Sequence, residues 1–124
     1  MMNELNKRST RQSGDEGEEM AKQHLLKLGF EIIEMNYRFG KGGEIDIIAK
    51  DGEVLVFCEV KMRHNDEYGD PEFAITAKKQ AQLRKIAHAY LYERDIDNVE
   101  CRFDVVAIKN YGVKPEINYI PNAF

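Results

Sequence analysis

The chain has 124 residues, a length that predicts a single domain. Apolar residues make up 43% of the sequence and charged residues 32%, a balance that is typical of globular proteins and excludes an intrinsically disordered chain. The formal net charge is −4, from 18 basic and 22 acidic residues, which excludes a highly basic protein that coats DNA. A nucleic-acid enzyme is still allowed, because such an enzyme needs local acidic and local basic groups rather than a basic total.

The sequence predicts a cytoplasmic protein with no membrane association. It has no run of about 18 apolar residues that would span a bilayer, and its polar start lacks the apolar segment of a secretory signal. Cys58 and Cys101 are too few for a disulfide framework or a four-cysteine zinc site. We therefore expect both cysteines to be buried thiols in a reducing compartment.

The start of the chain predicts a flexible basic tail over residues 1–12, followed by one domain over residues 13–124. Ser13 and Glu16 have the S-x-x-E form of a capping box, so a helix is expected to begin there. The helix is expected to stop at Gly29, because glycine commonly terminates helices.

Glu18 lies on the apolar stripe of this helix, three residues before Ala21 and in line with Leu25 and Leu28. A carboxylate on a buried face is unusual and is a candidate for a functional role. The alternative is that Glu18 lies in the first turn, where an acidic side chain interacts favourably with the helix dipole. The helical pattern alone favours neither interpretation.

The remaining pattern predicts five strands and a second helix. The element order is α-β-β-β-α-β-β, with a right-handed parallel crossover from the third strand to the fourth. The fold class is therefore α/β, with a mixed sheet flanked by helices. The strands are expected over residues 30–38, 44–50, 54–61, 101–109 and 116–120, the second helix over 76–93, and a polar loop over 62–70.

The predicted hairpin between the second and third strands gathers acidic residues. With Asp51-Gly52 as a two-residue turn, Glu44 faces Glu59 and Asp46 faces Phe57. Facing acids destabilise a sheet, so a purely structural hairpin would not favour them. The alternative is an ion-pair network at a solvated strand end. In the predicted register, four charged side chains project from one face: Glu44, Asp46, Glu59 and Lys61.

This acidic group is suited to hydrolysis with a hard cation. Mg²⁺ or Mn²⁺ takes oxygen ligands, which Asp46 and Glu59 would supply, with Glu44 as a further ligand. Such an ion polarises a phosphoryl oxygen and makes water more acidic. Lys61 is expected to stay protonated beside the carboxylates and to stabilise charge in the transition state.

The same residues carry a resemblance to known families. Asp46, followed after a gap by Glu59-Val60-Lys61, resembles the D…E-x-K signature of the restriction-endonuclease-like, PD-(D/E)xK nucleases. Longer motifs resemble the YraN-like family (UPF0102), which is regarded as nuclease-like and is similar in layout to archaeal Holliday junction resolvases. The resemblance implies a restriction-endonuclease-like αβββαβ core and adds Glu18 to the catalytic acids. Its motifs are Gly17-Glu18, Gly43-Glu44-Ile45-Asp46, Phe57-Cys58-Glu59-Val60-Lys61, Ala74-Ile75-Thr76 with Lys79-Gln80, and Phe103-Asp104-Val105-Val106.

Basic residues near the acidic group are candidates for phosphate contacts. Arg63 follows Lys61 by two residues and would share its face, so it is the best-placed phosphate clamp. Arg38 precedes the acidic strand, and Lys78 and Lys85 lie on one face of the second helix. The alternative for the helical lysines is an ordinary solvated face.

The sequence thus favours a metal-dependent nuclease that acts on DNA rather than RNA, with branched or junction DNA as one substrate class. A second interpretation is a nucleic-acid-binding protein with a nuclease-like fold and no turnover. A third is a structural or adaptor protein with a solvated ion-pair cluster. A homodimer would help so small a chain to cover DNA, and an exposed apolar strip is expected at Ile117, Tyr119, Ile120 and Phe124.

Overall fold

The computed structural model describes residues 10–64 and 75–124, with the side chains of the first helix described from residue 15 onward. Its element order is the predicted α-β-β-β-α-β-β. The predicted tail lies almost wholly outside the described residues, as does most of the predicted polar loop. The elements are α1 (Thr10–Lys27), β1 (Glu31–Arg38), β2 (Glu44–Asp51), β3 (Val54–Arg63), α2 (Ala77–Glu93), β4 (Cys101–Lys109) and β5 (Glu116–Ile120).

The five strands form one mixed sheet in the order β1-β2-β3-β4-β5. β3 and β4 are parallel and are joined through α2, whereas the other neighbours are antiparallel. The α/β fold with a mixed sheet flanked by helices is therefore confirmed. No helix in the described ranges is long and apolar enough to cross a membrane.

Each helix covers one face of the sheet and closes one hydrophobic core. Ala21 and Leu25 of α1 pack on alternate strand residues such as Val56. We call this cluster the α1-side core. Leu83 and Tyr90 of α2 pack with the intervening strand residues in the α2-side core. β3, the middle strand, contributes to both cores and is buried from Leu55 to Glu59.

The start of α1 differs from the prediction. The helix begins at Thr10, so Ser13 lies inside it and is not its N-cap. Arg11 and Gln12 are good helix formers, so the helix includes described residues before the predicted start. The expected tail over residues 1–12 therefore overlaps the helix at its last three positions.

The end of α1 confirms the predicted stop. Gly29 has a φ of +93°, its N–H donates to the Leu26 carbonyl, and the Phe30 N–H donates to the Leu25 carbonyl. This is a Schellman motif, in which glycine adopts the left-handed conformation at low cost. Leu28 is 50% exposed, so its predicted place on the buried stripe is wrong. The helix ends at Lys27, so Leu28 no longer follows the helical spacing of the stripe.

The hairpin turn between β2 and β3 is centred on Gly52-Glu53 rather than on Asp51-Gly52. Asp51 pairs with Val54 at the ends of the two strands. Gly52 has a φ of +62°, as expected for glycine at the first central position of a type II′ turn. The position of this glycine therefore explains why the turn lies one residue later than predicted.

The strand register consequently differs from the predicted one by two residues. Phe57 pairs with Ile48, so the predicted facing of Phe57 with Asp46 is wrong, as is that of Glu44 with Glu59. A shift of two residues leaves each side chain on its face of an ideal strand, because side chains alternate with a period of two. The error therefore changes which residues are neighbours but does not by itself separate the acidic residues.

α2 follows the prediction closely. Thr76 is its N-cap, and the Thr76 hydroxyl accepts a hydrogen bond of 3.0 Å from the backbone N–H of Lys79. β3 continues to Arg63, two residues beyond its predicted end, because Met62 still packs on the α1-side core.

The C-terminal part of the sheet contains a buried polar network. Asp104 is fully buried and accepts hydrogen bonds from Arg102 Nε at 3.1 Å, from the Asn122 N–H at 2.8 Å and from the Tyr119 hydroxyl. The guanidinium of Arg102 also binds Asp51 at 2.9 Å. The network satisfies the buried carboxylate and joins β4, β5 and the hairpin, so Asp104 has a structural role.

The predicted apolar strip near the C-terminus is only half exposed. Ile117 and Tyr119 pack against the α1-side core, and Phe124 stacks on Phe103 at a ring distance of 5.1 Å. The strip is therefore largely used within the chain.

Candidate active site

Three carboxylates from two elements meet at one end of the sheet. Oxygen atoms of Glu18, Glu44 and Asp46 all lie within 4.8 Å of one another. Glu18 comes from α1, which approaches β3 closely at Gly17. A Cβ atom at this glycine would lie only 3.4 Å from Met62. The predicted placement of Glu18 on the inner stripe of the helix thus brings it to the acids of β2.

Asp46 lies where β2 and β3 separate. Pairing of the two strands extends from Asp51–Val54 to Ile47–Cys58, and beyond it the Val60 N–H donates to Asp46 Oδ2 at 2.8 Å. A carboxylate thus accepts the hydrogen bond that a strand carbonyl would otherwise accept, and its side chain occupies the gap between the strands.

The alternation of side chains also breaks at this gap. Ile45 packs in the α2-side core, whereas Ile47, two residues away, packs in the α1-side core. The expectation that all four charged side chains project from one regular face is therefore wrong. Instead, they approach the gap from both sides of the sheet.

Glu59 approaches from the α2 side, because its neighbours Cys58 and Val60 pack on the α1 side. Its side chain is only 6% exposed. Two ammonium groups lie near Glu59 Oε2, that of Lys61 at 3.8 Å and that of Lys79 at 3.7 Å. The predicted pairing of Lys61 with Glu59 is present, and Lys79 is a second cation that sequence reasoning did not assign to the site.

Crowding and burial raise the pKa values of these acids. Burial raises the pKa of Glu18 to about 7, and the charges of Asp46 and Glu44 act in the same direction. The pKa of Asp46 is also raised, first by burial and then by the charge of Glu59. Burial raises the pKa of Glu59 as well, while Lys79 and Lys61 oppose the rise. The chain therefore holds several carboxylates together at a cost that a bound cation would relieve.

Asn36 is a site residue that sequence reasoning missed. Its side-chain nitrogen donates to Glu18 Oε1 and to Glu44 Oε2, both at 2.8 Å. The available signal was an asparagine within an apolar strand, where this residue type is uncommon.

The predicted phosphate-binding residues differ in how close they lie to the acidic residues. Arg38 binds Glu44 at 2.9 Å, with a side chain that is 73% exposed. Lys78 and Lys85 are exposed on α2, and Arg63 ends β3 two residues beyond Lys61. The structure thus brings Arg38 to the acids, while phosphate binding by all of these residues stays a prediction.

The loop before β2 is held against α2 beside this site. The side-chain amide of Gln82 donates to the Gly42 carbonyl. A Cβ atom at Gly43, where φ is +108°, would lie 2.9 Å from the same amide. Glycine is therefore favoured here by its backbone conformation, while the flexible end of Gln82 could move away from a larger residue.

The ligand atoms of the described cluster are carboxylate oxygens, which suit Mg²⁺ or Mn²⁺ better than a softer metal. His64 is exposed at the end of β3 and is not part of this cluster. The residues present thus fit a hard divalent cation by donor type, by mutual distance and by their excess of negative charge.

Comparisons with known proteins identify one family. The profile of the uncharacterised protein family UPF0102 matches residues 17–108. A UPF0102 protein of Geobacter metallireducens is 43% identical over 111 residues, which cover 90% of each chain. Another, of Syntrophus aciditrophicus, is 45% identical over 90% of this chain and 87% of its own. A third, of Caldicellulosiruptor saccharolyticus, is 44% identical over 92% of this chain and 98% of its own.

Proposed function

The chain belongs to the uncharacterised protein family UPF0102, and from its acidic site we propose that it is a metal-dependent nuclease that hydrolyses phosphodiester bonds in DNA. The observation that carries the proposal is the meeting of Glu18, Glu44 and Asp46 at the gap between β2 and β3, with Glu59 and its partner Lys61 beside Asp46. The resemblance of Asp46 and Glu59-Val60-Lys61 to the restriction-endonuclease-like signature supports it.

Asp46, Glu59 and Glu18 would hold Mg²⁺ or Mn²⁺. Glu44 is a further candidate ligand, because its carboxylate lies within 4.8 Å of those of Glu18 and Asp46, and its oxygens also accept from Arg38 and Asn36. When bound, the cation polarises the phosphoryl oxygen and lowers the pKa of water at the site. The buried carboxylates supply the negative charge that retains the cation.

Lys61 has a separate task in this proposal. Its ammonium lies at the edge of the acidic cluster, and its side chain is 25% exposed, so it is accessible to a phosphate group. A positive charge fixed there stabilises the negative charge that develops on the phosphate in the transition state. The contact with Glu59 orients this ammonium before substrate binds.

The substrate is proposed to be DNA because basic residues lie on the elements that form the site or border it. Arg38, Lys78, Lys85 and Arg63 lie on or beside the elements that form the site and would bind backbone phosphates. Branched DNA is one substrate class to test, and a homodimer would extend the contact surface. The proposed location is the cytoplasm, where the free thiols of Cys58 and Cys101 stay reduced.

The test is Mn²⁺-dependent cleavage by the wild type and by Asp46→Asn. The panel contains linear duplex, single strand, flap, four-way junction and structured RNA. Because Asn lacks the charge that binds a divalent ion, we expect the variant to lose at least about a hundredfold in rate, as for removal of a key catalytic group. Asp97→Asn, an exposed aspartate in the loop before β4, is the matched control and should cleave like the wild type. Equal cleavage by wild type and Asp46→Asn would refute the assignment.

A second candidate is a nucleic-acid-binding protein without turnover. It is favoured by the internal partners of the acids, since Glu59 contacts two lysines and Glu44 contacts Arg38. In that case DNA binding would persist in EDTA, would weaken with salt, and would be unaffected by Asp46→Asn. Absence of cleavage with every substrate and with either metal would favour this function.

A further inference from the structure

We propose that Asn36 is the positioning residue of the metal site, and that its side-chain amide holds Glu18 in the orientation that completes the cluster around Asp46. This inference rests on the proposed function, because it assigns the task of Asn36 within that same site. It concerns geometry and not reaction chemistry, since Asn36 carries no group that titrates near neutral pH.

The backbone places Asn36 opposite the central acid. Its neighbours Met35 and Tyr37 pair with Ile47 and Ile45, so Asn36 lies across from Asp46 in the β1–β2 register. Its φ is +55° in the middle of a strand, where extended backbone is the rule. Asparagine tolerates this left-handed conformation better than most residues. An unfavourable backbone conformation inside a strand is commonly retained where it directs a side chain toward a functional site.

A bulge in β1 accompanies this conformation. The register with β2 shifts between Ile32 and Glu34, so that Ile33 is the extra residue. Bulges commonly re-aim side chains beside functional sites. Beyond the bulge, Met35 packs against the α1-side core, Tyr37 is buried in the α2-side core, and Asn36 lies between them.

The amide uses both of its hydrogens on acids from different elements. One donates to Glu18 Oε1 of α1 and the other to Glu44 Oε2 of β2. Two carboxylates this close repel each other, and a neutral double donor holds them together without competing as a cation would. Glu44 is fixed from its other side by Arg38, so Asn36 links Glu18 to an anchored group.

The carboxylate of Glu18 also lies within 4.8 Å of that of Asp46. Loss of the amide would therefore release a flexible glutamate side chain and a metal ligand with it. Groups that orient metal ligands are typically worth about 10- to 100-fold in metal affinity.

The first test is Asn36→Gly, with Mn²⁺ binding measured by calorimetry on the full chain. Glycine adopts a positive φ without strain, so this variant removes the amide and keeps the backbone free to fold. We expect Mn²⁺ affinity to fall at least about tenfold in a variant that still unfolds cooperatively in EDTA. Asn98→Gly is the matched control, because Asn98 has the same φ of +55° and is exposed in a loop. The control should bind Mn²⁺ like the wild type.

The second variant is Asn36→Asp, which keeps the shape, adds a negative charge and removes the donors. If Asn36 orients Glu18, this variant also binds Mn²⁺ more weakly than the wild type, despite its extra charge. Tighter binding by Asn36→Asp, or wild-type affinity in Asn36→Gly, would overturn the inference and leave the nuclease proposal intact. If the wild type itself binds neither Mn²⁺ nor Mg²⁺, both proposals fall together.

Discussion

Glu18 is subject to two opposing requirements, one from its acidic surroundings and one from its proposed role as a metal ligand. It is placed among other acids, where its pKa rises to about 7, yet the proposed function needs it ionised. Without metal, the folded chain favours the protonated form of this carboxyl group more than the unfolded chain does. This difference makes folding stability depend on pH.

The prediction is that stability in EDTA falls as pH rises. The contribution from protonated Glu18 is complete below its ordinary pKa of 4.5 and is lost as pH rises through about 7. The titration of Glu18 should therefore lower the Tm at pH 8 relative to that at pH 5 in thermal unfolding experiments. In Glu18→Gln the fall should be smaller, because the amide does not titrate.

Glu19→Gln is the matched control for that measurement. Glu19 is the adjacent residue of α1, and its side chain is exposed. Its replacement should leave the pH dependence of the wild type unchanged. An equal fall of Tm in the wild type and in Glu18→Gln would contradict the role assigned to Glu18.

Individual residues also mark the limits of prediction from sequence. Asp46, Glu59 and Lys61 could be proposed from the charged residues gathered by the predicted hairpin, whereas Glu18 was added to the candidate acids by the family resemblance. Asn36 was missed, because an asparagine within an apolar strand is a weak signal and its proposed role depends on a bulge and a left-handed backbone that leave no periodic pattern.

At the scale of elements, α2 contributes more to the site than a solvated basic face. The predicted face contained Lys78 and Lys85, but it is Lys79, in the first turn, that contacts Glu59. Lys79 lies four residues before Leu83, in line with the buried stripe of α2, so the helical pattern could have indicated it as the lysine that faces the sheet. The Thr76 cap, by contrast, is a local signal, and it set the start of the helix correctly.

We predict that Lys79→Ala binds Mn²⁺ more tightly than the wild type. The ammonium of Lys79 competes with a metal ion for Glu59, so its removal should raise affinity about fivefold, the equivalent of an ion pair worth about 1 kcal/mol. Lys79→Arg keeps the charge and should bind Mn²⁺ like the wild type. The exposed Lys78→Ala is the control, and calorimetry at constant ionic strength is the measurement. Weaker binding by Lys79→Ala would mean that Lys79 supports the site instead of competing for it.

The hairpin shows how a small local error affects only part of a prediction. Displacement of the turn to Gly52-Glu53 changed each facing pair but preserved the alternation of an ideal strand. The further departure occurs at Asp46, where the strands separate and its carboxylate accepts from Val60. Sequence patterns assume regular strands, so they identified the acids here but not the gap that brings them together.

At the scale of the whole molecule, the acidic cluster exists only when α1, β2 and β3 are assembled. Its members are far apart in sequence, so the unfolded chain offers no equivalent site. A cation that binds the folded state alone must stabilise it by mass action. Metal binding and folding are therefore coupled in the proposed enzyme.

The expected result is a rise in Tm with Mn²⁺ that is larger at pH 8 than at pH 6. A divalent ion binds ionised carboxylates, and the raised pKa values of Glu18, Asp46 and Glu59 mean that protons compete at the lower pH. Differential scanning fluorimetry across a Mn²⁺ titration tests this. Asp46→Asn should show little rise at either pH, and a rise in Asp46→Asn equal to that of the wild type would place the ion elsewhere.

The order of the strands has a consequence for how the molecule opens. β3 is the middle strand and carries Glu59 and Lys61, whereas β1, with Asn36, is at the edge and is interrupted by its bulge. Amide hydrogens of central strands exchange with solvent only through near-global unfolding, while those of irregular edges exchange through local fluctuations. Glu59 and Lys61 of the proposed site therefore lie in the strand that is expected to open last. The amide that orients Glu18 lies in the part that opens first.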